Sequence, residues 1–217
     1  MQNLKELIQA EHLIVIVRGV KSEQLVPLAD AMYEGGVRLL EITYSADGRV
    51  SDEETAKNIG ALARHFGDRM QIGAGTVLTK KQVALTADAG GKYIISPNAN
   101  ESVIRATRSA GLVSIPAAYT PTEIEAAYES GADFVKLFPV TSLGPSYVKA
   151  VRGPLCHIPL LAVGGVDLSN LADYAKAGVE GFGIGGNIID KKALAQGDYR
   201  AITALAKQYV ETIKTLY

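Results

Sequence analysis

The sequence contains one cysteine, Cys156, so no internal disulfide can staple the fold. A nucleophilic pairing of Cys156 with the adjacent His157 is also disfavoured, because neighbouring residues of a strand point to opposite faces. The three histidines, His12, His65 and His157, are scattered, and no spacing of His, Cys and carboxylates forms a metal-ligand cluster. No segment approaches the ~20 apolar residues needed to cross a bilayer. The opening Met-Gln-Asn-Leu-Lys-Glu lacks a basic flank followed by an apolar stretch, so a cytoplasmic protein with no membrane association is expected. Charge of one sign is missing too. The formal net charge is -1 with acidic and basic residues interspersed, which argues against nucleic acid or an anionic membrane as partner and leaves small molecules. No linker, low-complexity tract or charge block divides the 217 residues, so residues 1–217 are expected to form one domain.

What the chain does have is a strict alternation of β-branched runs and amphipathic stretches. Strands are expected at Leu13–Val17, Val37–Thr43, Met70–Ala74, Tyr93–Ser96, Val113–Pro116, Phe134–Phe138, Ile158–Val163 and Gly181–Ile184. Helices are expected between them, among others at Ser22–Glu34, Asp52–Phe66, Lys80–Ala89, Glu101–Ser109, Thr122–Ser130 and Ser169–Ala177. Gly35, Gly90, Gly111, Gly131 and Gly178 follow helices as C-terminal stop residues should. A final amphipathic helix from Tyr199, with Ala201, Leu205, Val210 and Ile213 as its contacts, should close the fold. Eight strand-helix repeats with no strand-only region predict an α/β fold of parallel strands, a single-domain (β/α)8 TIM barrel in preference to a doubly wound sheet. The absence of Gly-x-Gly-x-x-Gly after the first strand weakens the dinucleotide-binding alternative.

Two strands carry an ionisable residue where a buried strand has no structural use for one. Lys136 lies within Asp133-Phe-Val-Lys-Leu-Phe-Pro139, and alternation places it on one face with Phe134 and Phe138. A desolvated lysine is in part a free amine at neutral pH, and a free amine attacks carbonyls. Glu41 lies within Arg38-Leu-Leu-Glu-Ile-Thr43 and shares its face with Leu39 and Thr43. A buried ion pair would explain the two residues; so would a carboxylate shuttling protons for a carbonyl-attacking amine. In a barrel the chemistry belongs at the C-terminal strand ends. Arg18, Gly73-Ala-Gly-Thr76, Pro97, Pro116, Gly164-Gly165 and Gly183-Ile-Gly-Gly186 all fall there, whereas the histidines fall at the opposite face. The paired glycine loops can present backbone N–H groups to an anion, and the guanidinium of Arg18 suits a carboxylate or phosphate.

Arg18-Gly19, Gly36-Val-Arg-Leu-Leu-Glu-Ile-Thr43, Gly73-Ala-Gly-Thr-Val-Leu78, Ile95-Ser-Pro97, Lys136-Leu-Phe-Pro139, Gly144-Pro145, Lys149-Ala150 and Val163-Gly-Gly-Val166 together resemble the bifunctional KDPG/KHG aldolases, in order along nearly the whole chain. The resemblance implies a class I aldolase that needs no metal or other cofactor and is usually a homotrimer. Such enzymes split 2-keto-3-deoxy-6-phosphosugar acids or 4-hydroxy-2-oxoglutarate and release pyruvate. Carried over by motif, Lys136 is the Schiff-base lysine and Glu41 the general acid/base. Thr76, Pro97 and Pro116 match the pyruvyl pocket, and Gly164, Gly165 and Gly186 the loops that hold the distal phosphate. Thr43, Phe138, Val163 and Gly185 complete the expected substrate-binding set.

The chain departs from the family pattern in four places. Ser45 stands where many members have arginine, Ala117 follows Pro116 where glycine is common, and Asn187 replaces a frequent serine. The Ser45–Asp52 loop is longer and more charged, with Arg49 available as a contact. Val163 resembles the galactonate-type enzymes, because the gluconate-type members carry a threonine there that can bond the C4 hydroxyl. Two other readings compete: a phosphate-binding barrel isomerase or epimerase, and a non-catalytic barrel that binds a sugar phosphate.

Overall fold

The β-branched runs become parallel strands in the computed structural model, which describes residues 4–217. The strands are β1 Leu13–Val17, β2 Leu39–Thr43, β3 Gln71–Gly75, β4 Tyr93–Ile95, β5 Val113–Ile115, β6 Ala117–Ala118, β7 Val135–Leu137, β8 Leu160–Val163 and β9 Gly181–Ile184. The helices are α1 Leu4–Glu11, α2 Ser22–Glu34, α3 Asp52–Phe66, α4 Lys80–Asp88, α5 Glu101–Ser109, α6 Pro121–Glu129, α7 Gly144–Arg152, α8 Leu171–Lys176, α9 Lys191–Gln196 and α10 Tyr199–Lys214.

The strands pair in the order β5-β4-β3-β2-β1-β9-β8-β7-β6. The fifth expected strand, Val113–Pro116, ends at Ile115, and a strand that was not expected, β6, follows it; Pro116, with no N–H to give the ladder, separates the two. Both ends of the strand order therefore belong to one segment, and the sheet closes there. The Asp133 N–H donates to the Ser114 carbonyl at 2.9 Å, and the Lys136 N–H donates to the Pro116 carbonyl at 2.9 Å. The result is a (β/α)8 barrel.

Alternation along each strand sorts the side chains into two cores. Leu13, Val15, Leu40, Ile42, Ile72, Val135 and Leu137 point outward and are covered by the helices. Ile14, Leu39, Tyr93, Ile95, Phe134 and Leu161 point into the lumen, where Ile8 of α1 joins them from below. α1, which the sequence pattern did not reveal, is thus a plug at the N-terminal end of the barrel. Burying a side chain such as Ile8 contributes about 2 kcal/mol.

The helices start on side-chain caps. Thr79 and Thr120 form reciprocal capping boxes with Gln82 and Glu123, and Ser51 accepts from the Glu54 N–H at 3.1 Å. Gly90, Gly111, Gly131 and Gly178 take positive φ just past helix ends, as expected. Gly35 does not. Its φ is -71°, and Gly36 makes the turn instead. What Gly35 provides is proximity, since a Cβ there would lie 2.6 Å from the Ala206 Cβ of α10. The buried stripe of α10 is Ile202, Ala206, Tyr209, Val210 and Ile213. Of the expected contacts, Ala201 is exposed and Leu205 only half-buried, because the true stripe runs through 202, 206, 209 and 213 and leaves both at its edge.

Candidate active site

Glu41 is carried by β2 and Lys136 by β7, and both face the lumen above the apolar plug. In register, Glu41 lies beside Ile16 of β1 and Gly73 of β3, while Lys136 lies beside Ala117 of β6 and Leu161 of β8. Glu41 is 1% exposed and Lys136 6% exposed. Among the described residues no direct ion pair joins them, and Glu41 Oε2 has no hydrogen-bond partner. The Lys136 Nζ stands 4.6 Å from the centroid of the Phe138 ring, whose face favours the charged amine.

Burial opposes charge on both residues. It lifts the Glu41 carboxyl from 4.5 to about 7, against the counter-pull of the Lys136 and Arg18 cations. It lowers the Lys136 amine below its ordinary value, opposed by the Glu41 charge and reinforced by that of Arg18. The site therefore holds an amine that gives up its proton more readily and a carboxyl that keeps one more readily, the arrangement acid-base chemistry near neutral pH requires.

Both line a cavity of about 470 Å³ at the C-terminal end of the barrel. Arg18, Thr76, Pro97, Phe138, Val163, Gly164, Gly165, Gly185 and Gly186 line the same cavity. Arg18 donates from Nη2 to Thr76 Oγ1 at 3.1 Å. Thr76 has φ 56°, a strained conformation for a β-branched residue, and such strain collects at functional sites. Two expected site residues fall elsewhere. Pro116 does not line the cavity; it is buried in the barrel wall, where its carbonyl accepts the Lys136 N–H. Thr43, the last residue of β2, lines a separate cavity of about 560 Å³ with Arg49. Arg49 forms an ion pair with Asp47 at 2.9 Å, and the pair is well exposed.

Sequence reasoning missed Ile16, Val166 and Ile184 as cavity walls. Ile16 was within reach, since it follows Ile14 in the inward alternation. Asn187, noted as a departure, does not simply vacate a contact. Its Nδ2 donates to the Val166 carbonyl at 2.9 Å and so ties the loop after β9 to the glycine loop after β8. A larger cavity of about 570 Å³ lies on the other side of Arg18, lined by Lys21, Gln24 and Lys191. Neither Glu41 nor Lys136 lines it; the buried amine and carboxyl both belong to the smaller cavity.

Residues 4–205 match the family model described as KDPG and KHG aldolase. The chain belongs to this aldolase family. A probable 2-dehydro-3-deoxy-6-phosphogalactonate aldolase of Rhizobium meliloti (strain 1021) is 40% identical over 197 residues, covering 89% of this chain and 90% of that protein. The 2-dehydro-3-deoxy-6-phosphogalactonate aldolase of Escherichia coli (strain K12) is 32% identical over 93% of this chain and 96% of its own length. The barrel also superposes on the KDPG aldolase of Legionella pneumophila, solved with pyruvate captured at low pH as a covalent carbinolamine intermediate. The TM-score is 0.84 at 27% identity, over 95% of this chain and 98% of that one. Cys156, in an exposed turn before β8, and His12, whose Nδ1 lies 2.6 Å from the Glu180 carbonyl below β9, stand outside the aldolase cavity.

Proposed function

We propose that this chain is a class I aldolase that cleaves a 2-keto-3-deoxy-6-phosphosugar acid to pyruvate and glyceraldehyde 3-phosphate. Lys136 forms the Schiff base and Glu41 moves the protons. The observation that carries this reading is the placement of Lys136 and Glu41 in one cavity, both buried, without an ion pair between them and shifted in proton affinity toward neutrality. Simple charge neutralisation would predict a direct ion pair.

The neutral Lys136 amine attacks the C2 ketone, and the resulting carbinolamine loses water after Glu41, through a water, protonates its hydroxyl. The iminium withdraws electrons from C3. Removal of the C4 hydroxyl proton then lets the C3–C4 bond break, releasing the aldehyde and leaving a pyruvate enamine. Protonation at C3 and hydrolysis free pyruvate and regenerate the amine. Arg18, with Thr76 held by its guanidinium, binds the substrate carboxylate. Pro97 and Phe138 wall the pyruvyl moiety, and the backbone N–H groups around Gly164, Gly165, Gly185 and Gly186 face the distal phosphate. Pro116 acts by fixing the Lys136 backbone rather than by touching substrate.

The galactonate-type C4 epimer is the preferred substrate. Val163 faces the cavity and offers C4 no hydroxyl partner, and the two curated relatives described above carry the galactonate name. 4-Hydroxy-2-oxoglutarate, cleaved to glyoxylate and pyruvate, is a further substrate. The working form is a single-domain, cofactor-free homotrimer in the cytoplasm. No helix among the described residues is long and apolar enough to cross a membrane. The test is pyruvate release from both phosphorylated epimers with a chelator present. Chelator-insensitive release favouring the galactonate epimer is expected. Equal turnover or a gluconate preference overturns the epimer assignment, and no release from either overturns the aldolase assignment.

A further inference from the structure

β3 has glycine at both of its inward positions beside the site. A Cβ on Gly73 would lie 2.3 Å from the Tyr93 ring carbons Cδ2 and Cε2, and a Cβ on Gly75 would lie 1.5 Å from Glu41 Oε1. The strand between β2 and β4 thus contributes no side chain, and Glu41 from one flank and Tyr93 from the other converge over it. Tyr93 is fully buried in a part of the lumen otherwise made of hydrocarbon from Ile14, Leu39, Ile95, Val113, Ile115 and Phe134. A phenol there is costly unless its hydroxyl finds a partner, and phenylalanine would fill the same space without that cost. Among the described residues, only Glu41 Oε2 and Tyr93 Oη are buried side-chain polar atoms without a hydrogen-bond partner. That these two atoms belong to residues lying over successive inward glycines of one strand, Tyr93 over Gly73 and Glu41 over Gly75, is the relationship that calls for a function.

We propose that the Tyr93 hydroxyl is the hydrogen-bond donor to Glu41 Oε2 across one buried water, and that Tyr93 is a positioning residue for the proton transfers Glu41 performs. Oε1, lying over Gly75, is left to face the cavity, while Oε2 is held from beneath. The inference rests on the catalytic role proposed for Glu41. The charged groups acting on Glu41 are Lys136 from β7 and Arg18 beyond β1. Glu41 in turn is the charge acting on Tyr93, and burial together with that charge keeps the phenol protonated and able to donate. A neutral donor on a carboxylate stabilises its charged form. Loss of the hydroxyl must therefore raise the proton affinity of Glu41.

The decisive comparison is Tyr93→Phe against the parent, with the Glu41 carboxyl titrated directly by carbon-13 NMR and assigned by its loss in Glu41→Gln. An upward shift of about half a pH unit or more is expected. With it, kcat should fall about tenfold while KM moves less than about twofold, and the pH-rate limb that Glu41→Gln abolishes should shift in the same direction. A folded Tyr93→Phe protein with an unmoved Glu41 titration overturns the proposal, because a purely structural tyrosine would alter melting temperature alone. Site-specific 3-fluorotyrosine at position 93 retains ring and hydroxyl in a more acidic phenol and should move Glu41 the opposite way; no movement there also overturns it. If the titration shifts but the parent releases no pyruvate, the Tyr93–Glu41 pairing stands and the aldolase assignment falls.

Discussion

Glu41 lies across the backbone of Gly75, with Oε1 occupying space that any side chain at position 75 would need: a Cβ there would stand 1.5 Å from it. The glycine on β3 therefore fixes where the carboxyl on β2 can be, through a contact with no counterpart in local sequence. Gly75→Ala is expected to displace the carboxyl by an ångström or more. A misplacement of that size lowers kcat roughly 100-fold, while overpacking costs about 1–3 kcal/mol of stability. Steady-state kinetics with denaturant unfolding on the same sample checks both; unchanged kcat in Gly75→Ala would mean the observed Glu41 position does not matter.

Lys136→Met replaces the buried amine with an apolar side chain of similar length. Activity should fall by roughly 10³-fold or more as the nucleophile is lost. Stability should hold or rise by about 1 kcal/mol, because a desolvated cation has been removed. The proton affinity of Glu41 should increase, since Lys136 is the larger of the two cationic influences that hold it down. Lys136→Arg, which keeps the charge, should be equally inactive. Retained activity in either variant would remove the amine from the mechanism.

The pH dependence of stability has a definite sign. Glu41 titrates near 4.5 when unperturbed and at about 7 in the folded protein, so between these values the folded state binds the extra proton. Stability is therefore lost as pH rises from about 4.5 to about 7, by up to about 3 kcal/mol for this group alone. Lys136, whose affinity is lowered, acts in the alkaline range, where the unfolded chain holds the proton longer and stability recovers as pH rises. Urea unfolding of the parent and of Glu41→Gln at pH 5 and pH 7.5 isolates the first effect. The parent should lose more stability than the variant on going to pH 7.5; parallel losses would contradict the assignment.

Arg18 and Arg49 separate two accounts of anion binding. Arg18 touches Thr76 at the cavity wall, whereas Arg49 pairs with Asp47 in an exposed loop beside a different cavity. Arg18→Ala should raise the KM for substrate about tenfold or more by removing a charged hydrogen bond. Arg49→Ala should leave it within about twofold. The reverse pattern would move the anion site to the 45–52 loop.

The sequence disclosed Lys136 and Glu41 because each interrupts an apolar strand, an anomaly visible without any fold. Barrel architecture was legible from the repeat of β-branched runs and amphipathic stretches, and four of the five helix-stop glycines from their position. What stayed hidden depends on contacts between distant segments. Pro116 read as a pocket residue, yet its carbonyl holds β7 and its missing N–H separates β5 from β6. Thr43 shares Glu41's face by alternation, but the strand ends there and the side chain serves another cavity. Gly73 and Gly75 read as parts of a motif, whereas their use appears only when β2, β3 and β4 are set side by side. The α1 plug went unseen because eight residues with a single fully buried side chain leave little periodicity to read.

The most direct test of the central claim is borohydride reduction in the presence of pyruvate, followed by intact and peptide mass spectrometry, with Lys136→Ala as control. A reduced pyruvyl adduct is expected on the peptide carrying Lys136 and none in the variant. Folded parent protein that acquires no adduct, or acquires it on another lysine, would contradict the Schiff-base role of Lys136.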